Sequence, residues 1–358
     1  MVSRGQGRSI DPPPDRRVTG ISIVVLNYNG RAWLERCLGA AASELAPDCE
    51  LIVVDNGSSD GSVDFIQRSF PAVRVVRLER NTGFAGGNNA GAHAARGRYV
   101  AFLNNDAAPQ PGWLAALRHA LDRDAQLGLA ASCIVFLHDP SVIDSAGDGL
   151  TRWGGAFKRG HGGSVREAPN AGDVFGACGA ACLVRRDVFQ ELGGFDSAFF
   201  AVYEDVDLSY RFQLRGYRCT YVPEAVVHHA GSATLGRLSA KSVYWGQRNL
   251  EWMYIKNTPW PLLLITLPGH VLYNLAAAAY FARHGHLGTF LSAKWGALRE
   301  IARVWRQRRE VQRTRRSSSL RIWKLMDGRW LGLKLREKAF DLDLARRERT
   351  ARRDQSTN

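Results

Sequence analysis

No CxxC pair occurs in this chain. Its six cysteines (Cys37, Cys49, Cys133, Cys178, Cys182 and Cys219) lie scattered through 358 residues with no histidine at metal-ligand spacing. That pattern excludes a structural zinc site and predicts buried thiols in a reducing compartment. The segment from Met1 to Thr19, with Asp11-Pro12-Pro13-Pro14-Asp15 inside it, lacks an apolar core. It reads as a flexible leader rather than a signal peptide. A dinucleotide GxGxxG is missing too. Gly83, Gly86 and Gly87 form a looser GxxGG, with no acid at a strand end about twenty residues on. Those glycines suit close backbone approach to a diphosphate, or tight helix packing. Acid is scarce near the C-terminus: from Arg283 onward 21 Lys and Arg face 8 Asp and Glu, so most of the net charge of +14 lies there. A neutral body with a basic extension follows.

The body is an alternation of short apolar runs and helical segments. Ile21-Ser22-Ile23-Val24-Val25-Leu26 and Glu50-Leu51-Ile52-Val53-Val54 are the β-branched runs of buried parallel strands. Val73 to Leu78 and Tyr99 to Leu103 supply two more strands, with helices predicted over 32–43, 63–69 and from Thr82. Four such alternations predict a doubly wound, Rossmann-like α/β sheet, with ligands at the carboxyl ends of its strands. Asp55 follows the second strand and Asn104-Asn105-Asp106 follows the fourth. A carboxylate there can accept from a base edge or bind a divalent cation through hard oxygens. Turns also favour Asn, Asp and Gly, but two such turns, each after a buried run, favour a site.

The densest acidic stretch is Tyr203-Glu204-Asp205-Val206-Asp207-Leu208-Ser209-Tyr210-Arg211, after the Gly193-Gly194-Phe195-Asp196 turn. A helix N-terminus accounts for one or two of these acids through its dipole and free N–H groups. A third, beside aromatic residues, suits a general base or a metal partner. Between these landmarks, 144–149 and 153–163 read as loops over the site, and Phe175 to Leu183 as a small-residue strand lining an acceptor pocket.

Seven stretches in order carry a family resemblance: Val24 to Asn29, Val53 to Ser62, Asn81 to Asn89, Phe102 to Asp106, Gly193 to Asp196, Tyr203 to Arg211 and His228-His229-Ala230-Gly231-Ser232. Over about residues 20 to 235 the chain resembles the inverting family 2 glycosyltransferases of GT-A fold, and among them the rhamnosyltransferase-like members. The resemblance implies a nucleotide-sugar donor, with Asp55 reading the base and Asn27, Asn29, Asn56, Gly83, Asn88, Asn104 and Asn105 around the nucleotide sugar. It implies Mg²⁺ or Mn²⁺ on Asp106, with His228, or alternatively His229, completing the coordination. Asn104 stands where the family's DxD motif has its first Asp. A diphosphate leaving group calls for such a cation, and the attacking hydroxyl needs one carboxylate base and no enzyme nucleophile. Asp205 is assigned that role, Glu204 orients the acceptor, and Asp207 caps the helix. The expected donor is dTDP-rhamnose and the acceptor a lipid-linked or polysaccharide hydroxyl, serving cell-wall or polysaccharide synthesis.

Beyond Lys241 the composition turns aromatic and basic. Pro259 to Phe281 is long enough to span a bilayer, but Pro261, Pro268, His270 and Asn274 favour a place in the interface. Trp260, Tyr273, Tyr280, Trp295 and Trp305, with the arginines of 299–321, suit a boundary with anionic lipid. The expected layout is a leader at 1–19, a GT-A domain at 20–240, a helical membrane-associating region at 241–330 and a basic polar tail at 331–358. The protein would then work at the inner face of the plasma membrane. Three rivals remain: a nucleic-acid binder, which lacks any recognised module and has its charge off the body; a nucleotidyltransferase, which lacks a lysine-bearing Gly-rich loop after strand one; and a nucleotide-sugar binder without activity, against which Asp106 and Asp205 together speak. The oligomeric state is left open.

Overall fold

A computed structural model describes residues 9–10, 20–231, 239–329 and 332–344. Of the expected leader only Ser9 and Ile10 fall among these. They form β1 (Ser9–Ile10), antiparallel to the outer parallel strand of the sheet. The expected alternation follows as β2 (Ile21–Asn27), α1 (Arg31–Ser43), β3 (Glu50–Asp55), α2 (Ser62–Ser69), β4 (Arg74–Arg77), α3 (Gly83–Ala94) and β5 (Tyr99–Asn104). β4, β3, β2 and β5 lie side by side and parallel. Alternate residues leave opposite faces of each strand. Ile23, Val25 and Val53 pack under α1 and α2 with Leu34, Leu38 and Ile66, while Val24, Ile52 and Val54 pack with Ala85 and Ala92 of α3.

The second half makes the sheet mixed. It comprises β6 (Ala107–Pro109), α4 (Trp113–Arg123), β7 (Leu127–Phe136), β8 (Ile143–Ser145), β9 (Asp148–Leu150), β10 (Ala156–Lys158), β11 (Gly172–Val174), β12 (Ala181–Arg185), α5 (Arg186–Glu191), α6 (Glu204–Arg215) and β13 (Arg218–His229). β12 runs antiparallel between β5 and β7, and β13 runs parallel to β7. The strand expected over Phe175 to Leu183 begins only at Ala181. Residues 175–180 form a bend held by close contacts, for a Cβ at Gly176 would meet Ser209 at 2.3 Å and one at Gly179 would meet Phe84 at 2.8 Å.

C-terminal to the sheet come α7 (Ala240–Asn257), α8 (Trp260–Arg283), α9 (Leu287–Arg299), α10 (Ile301–Arg313) and α11 (Ser319–Leu325). Trp252, Met253, Leu262, Ala297, Val304 and Ile322 join Phe199, Val206 and Tyr210 in one cluster. The helices therefore share a core with α6. Residues 332–344, expected as polar tail, are helical. Their apolar side docks on the loop before β11, with the Phe340 ring 5.0 Å from His161 and 5.7 Å from Phe136. The remainder of the tail lies outside the described residues.

Candidate active site

Strand register gathers the polar turns. Asn27 is level with Asp55, and Leu26 with Asn104, at the carboxyl ends of adjacent strands. Asn105 Nδ2 donates to Asn27 Oδ1 at 2.8 Å, and Asn27 Nδ2 to Ser58 Oγ at 3.2 Å. Asn29 accepts from the Ser59 N–H at 2.8 Å and so shapes the same turn. Asp55 is buried, and its Oδ1 accepts no hydrogen bond from any described residue. Asn56 clamps the glycine-rich turn: its amide donates to the Gly83 carbonyl at 3.0 Å and its oxygen accepts from the Thr82 N–H at 2.8 Å. Gly83 is required twice over, by a φ of +77° and by the Phe200 carbonyl oxygen 2.4 Å from where a Cβ would stand.

These ends open into a cleft of about 340 Å³. Asn56, Gly83, Asn104, Asn105, Asp106, Glu204 and Asp205 all line it; of the others, Asn27 and Asp55 are buried and Asn29 is exposed on its turn. Two expectations are redirected. Asn88 is buried and donates to the Phe84 carbonyl one turn back in α3, so it stiffens the helix instead of facing the cleft. His228 and His229 leave opposite faces of β13. His229 lines the cleft and places Nε2 3.3 Å from Asp106 Oδ1. His228 faces elsewhere, where burial and the nearby Arg36 lower its pKa. Of the two histidines, His229 is the one that faces Asp106 in the cleft.

Behind His229 lies a residue to which its sequence neighbours gave no role. Asp144 is buried and accepts from His229 Nδ1 at 2.8 Å, while Lys158 Nζ approaches its other oxygen at 2.7 Å. Burial would raise the Asp144 pKa, but Lys158, His161 and His229 outweigh it and hold the carboxyl well below the usual range. Burial likewise opposes the charge on His229, yet Asp106 and Asp144 bring its pKa up to about 9. Lys158 itself lines the cleft. Loop placement hinted at this region, but no motif singled out these two residues.

The acidic cluster divides by helix geometry. At about 100° per residue, Asp207 points away from Asp205. Asp205 Oδ2 accepts from the Gly179 N–H at 2.9 Å and Oδ1 from the Val206 N–H at 2.8 Å. Burial raises its pKa against those two bonds. Glu204 is buried with Oε2 accepting no hydrogen bond from a described residue, and burial and then the Asp205 charge push its pKa well up. Asp207 does not cap the helix. It is fully buried against Lys256 at 2.7 Å, Arg211 at 2.9 Å and Asn257 at 2.7 Å, and it ties α6 to α7.

One family model, that of glycosyl transferase family 2, matches residues 22–193, and a second, glycosyl transferase family 21, matches 156–325. Over residues 22–193 the chain is similar to glycosyl transferase family 2. This glycosyltransferase is 29% identical over 243 residues to the N-acetylglucosaminyl-diphospho-decaprenol L-rhamnosyltransferase of Mycobacterium tuberculosis, covering 60% of this chain and 77% of the relative. Its fold is that of GT-A enzymes. A Pyrobaculum calidifontis mannosyltransferase solved with GDP-Man and Mn²⁺ superposes with a TM-score of 0.50 over 88% of this chain and 89% of its own, at 20% identity. GalNAc-T7 with UDP, GalNAc and Mn²⁺ superposes with a TM-score of 0.54 over 68% of this chain at 18% identity, and the match spans about half (48%) of that longer chain.

For a divalent cation, Asp106 and His229 are the fitting groups. Asp106 Oδ1 is buried and faces His229 Nε2 across 3.3 Å. Asp144 holds Nδ1 of His229, which points Nε2 at Asp106; a cation bound there would displace the Nε2 proton that the two carboxylates favour in its absence. No cluster of three or more His, Cys, Asp and Glu groups among the described residues could hold a cation by itself. Ligands from a bound donor would have to complete the set.

Proposed function

We propose that the protein transfers a sugar with inversion from a nucleotide-sugar donor to an acceptor hydroxyl, with Asp205 as general base. The observation that carries this reading is a single cleft holding both the Asp106–His229 pair and the Asp205–Glu204 pair. The free oxygen of Asp55 is the acceptor for a base N–H. A divalent cation, Mg²⁺ or Mn²⁺, on Asp106 and His229 would supply Lewis-acid neutralisation of the departing diphosphate. The acceptor oxygen forms its bond to the anomeric carbon as the bond to the diphosphate breaks, and its proton passes to Asp205. The raised pKa of Asp205 makes it a stronger base when ionised. Glu204, favoured in its protonated form, donates a hydrogen bond to a sugar oxygen. The similarity to a rhamnosyltransferase supports dTDP-rhamnose as donor and a lipid-linked acceptor.

A membrane surface is the second part of the proposal. α8 is long and apolar enough to cross a bilayer by length and composition, but one side of it is packed. His270 is buried against the Trp153 carbonyl and Glu251. On the other side Leu264, Ile265, Val271, Leu272 and Leu275, with Leu291, Trp295 and Leu298 of α9, are each at least half exposed. With Arg306, Arg309 and Arg316 exposed nearby in the chain, the helices suit lying on an anionic membrane face.

The test is transfer from dTDP-rhamnose to a synthetic prenyl-diphospho-N-acetylglucosamine with Mn²⁺ or Mg²⁺, run beside UDP- and GDP-sugars. Turnover that is lost in Asp205→Asn supports the reading, and transfer that survives this change removes Asp205 as base. Co-sedimentation with phosphatidylglycerol vesicles but not with phosphatidylcholine vesicles supports the surface reading, and binding to neither overturns it.

A further inference from the structure

The segment that delivers Asp205 to the cleft is strained. Phe200, Val202 and Tyr203 all have positive φ, at 64°, 70° and 75°. None is glycine, and a β-branched valine in that region is a steric outlier. Such backbone persists only where its surroundings over-determine it. The Phe200 carbonyl accepts from the Ala85 N–H at 3.2 Å, so the strained loop also touches the glycine-rich turn of the donor side.

At the centre of what holds the loop is one amide on α7. Asn249, fully buried, points Nδ2 at three backbone carbonyls at once: Phe199 at 2.9 Å, Ala201 at 2.9 Å and Val202 at 2.7 Å. Three carbonyls converge on one point only because the intervening residues turn left-handed. Arg248 fixes which way the amide faces, donating from Nε to Asn249 Oδ1 at 3.0 Å and from Nη2 to the Ala198 and Phe199 carbonyls. The guanidinium lies 4.2 Å from the Trp252 ring centroid, and Trp245 packs 4.8 Å from Phe200. One face of α7 therefore grips residues 198–203, immediately before Glu204 and Asp205.

We infer that Asn249 is a positioning residue for the transfer reaction, holding the strained 199–203 loop so that Asp205 meets the acceptor hydroxyl. This rests on the reading of Asp205 as base. Misplacement of a catalytic group by about 1 Å costs on the order of 10²-fold. Asn249→Ala is therefore expected to lower kcat by about that factor while leaving the affinity for dTDP with Mn²⁺ within about twofold. Val202→Gly in the same background relieves the left-handed strain and is expected to restore at least a tenth of the lost turnover. Arg248→Met, a milder change that leaves Asn249 in place, should show the same split with a kcat loss of roughly tenfold.

The experiment is rhamnosyl transfer from dTDP-rhamnose to prenyl-diphospho-N-acetylglucosamine, with calorimetric dTDP binding measured on each variant and Asp205→Asn run alongside. If Asn249→Ala does not fold, Arg248→Met decides the matter by itself. Wild-type kcat in either variant, or dTDP affinity falling in step with kcat, overturns the inference. Transfer lost in Asp205→Asn but kept in Asn249→Ala removes the clamp alone, whereas transfer that survives Asp205→Asn removes the base on which it rests.

Discussion

The two walls of the cleft are held in different ways. On the donor side each polar residue is fixed by the neighbouring strand end: Asn27 by Asn105 and Ser58, Asn29 by Ser59, Asn56 by Thr82 and Gly83. The parallel register of β2, β3 and β5 is enough to assemble it. On the acceptor side the loop before α6 is strained and depends on α7, and α7 depends in turn on α9 and α10. Trp252 Nε1 donates to the Ala297 carbonyl at 3.2 Å, and Arg308 of α10 holds the Ile255 and Thr258 carbonyls. A self-supporting wall thus faces one braced by the helices that carry the exposed apolar surface.

The largest expected effect separates the walls chemically. Asp205→Asn keeps the shape of the side chain and removes the base, so transfer should fall by about 10³-fold, within the 10²–10⁴ range of general-base catalysis. Calorimetry should find dTDP affinity with Mn²⁺ unchanged. A parallel loss of dTDP binding would mean that the walls are not independent.

The second effect separates them energetically. Lys256 is buried between Asp196 at 2.9 Å and Asp207 at 2.7 Å. Lys256→Met leaves both carboxylates short of a counter-charge in a dry site and should destabilise the fold by about 3 kcal/mol in urea unfolding. In the body of the sheet domain, at the amino end of β3, Arg118 and Asp48 pair at 3.0 Å while substantially exposed. Arg118→Ala should change stability by less than about 1 kcal/mol. Equal effects would dissolve the contrast.

The same contrast explains what could be read before the structure. Asp55, Asn105 and Asp106 were legible because a buried β-branched run followed by a polar turn fixes where a parallel strand ends. Asp205 was legible as an acid beyond the needs of a helix start. Asp144 and Lys158 were not, because Asp144 meets His229 across 85 positions of chain and Lys158 reaches Asp144 from a separate strand, and both strands are only three residues long, too short to show a period. Asn249 gave no signal either, since one Asn in an aromatic helix reads as surface until the strained backbone facing it is seen. The choice between His228 and His229 needed the strand's facing, which adjacent histidines leave open.

Acid should act on the braced wall first. Glu251 of α7 is bonded to His270 at 3.0 Å and Lys294 at 2.6 Å. Burial raises its pKa, but those partners prevail and lower it from 4.5 to about 2. A depressed carboxylate pKa contributes stability that is complete above about 4.5 and is lost as pH falls toward 2. The contribution is about 3 kcal/mol on the scale of 1.36 kcal/mol per pKa unit. Urea midpoints measured from pH 5 to pH 2.5 should fall more steeply for the wild type than for Glu251→Gln. Parallel curves would assign the acid sensitivity elsewhere.

The smallest expected effect tests whether the donor wall is as self-contained as its hydrogen bonds indicate. Asp144 sits on β8, outside the parallel strand ends, yet it holds Nδ1 of His229, whose Nε2 faces Asp106. If the loops contribute to the metal side only through this bond, Asp144→Asn should weaken Mn²⁺ binding in the presence of dTDP by roughly tenfold, the lower end of the effect of an outer-shell partner. The amide still bonds the ring but no longer supplies the charge that makes the imidazole a better ligand. Electron paramagnetic resonance titration of free Mn²⁺ reads this directly, without turnover. His229→Ala in the same titration should weaken binding further, and adding Asp144→Asn to it should change nothing more, since the bond it removes is already gone. Independent, additive losses would show that Asp144 acts on the metal side by another route, through Lys158, and that the donor wall leans on the loops more than its own hydrogen bonds reveal.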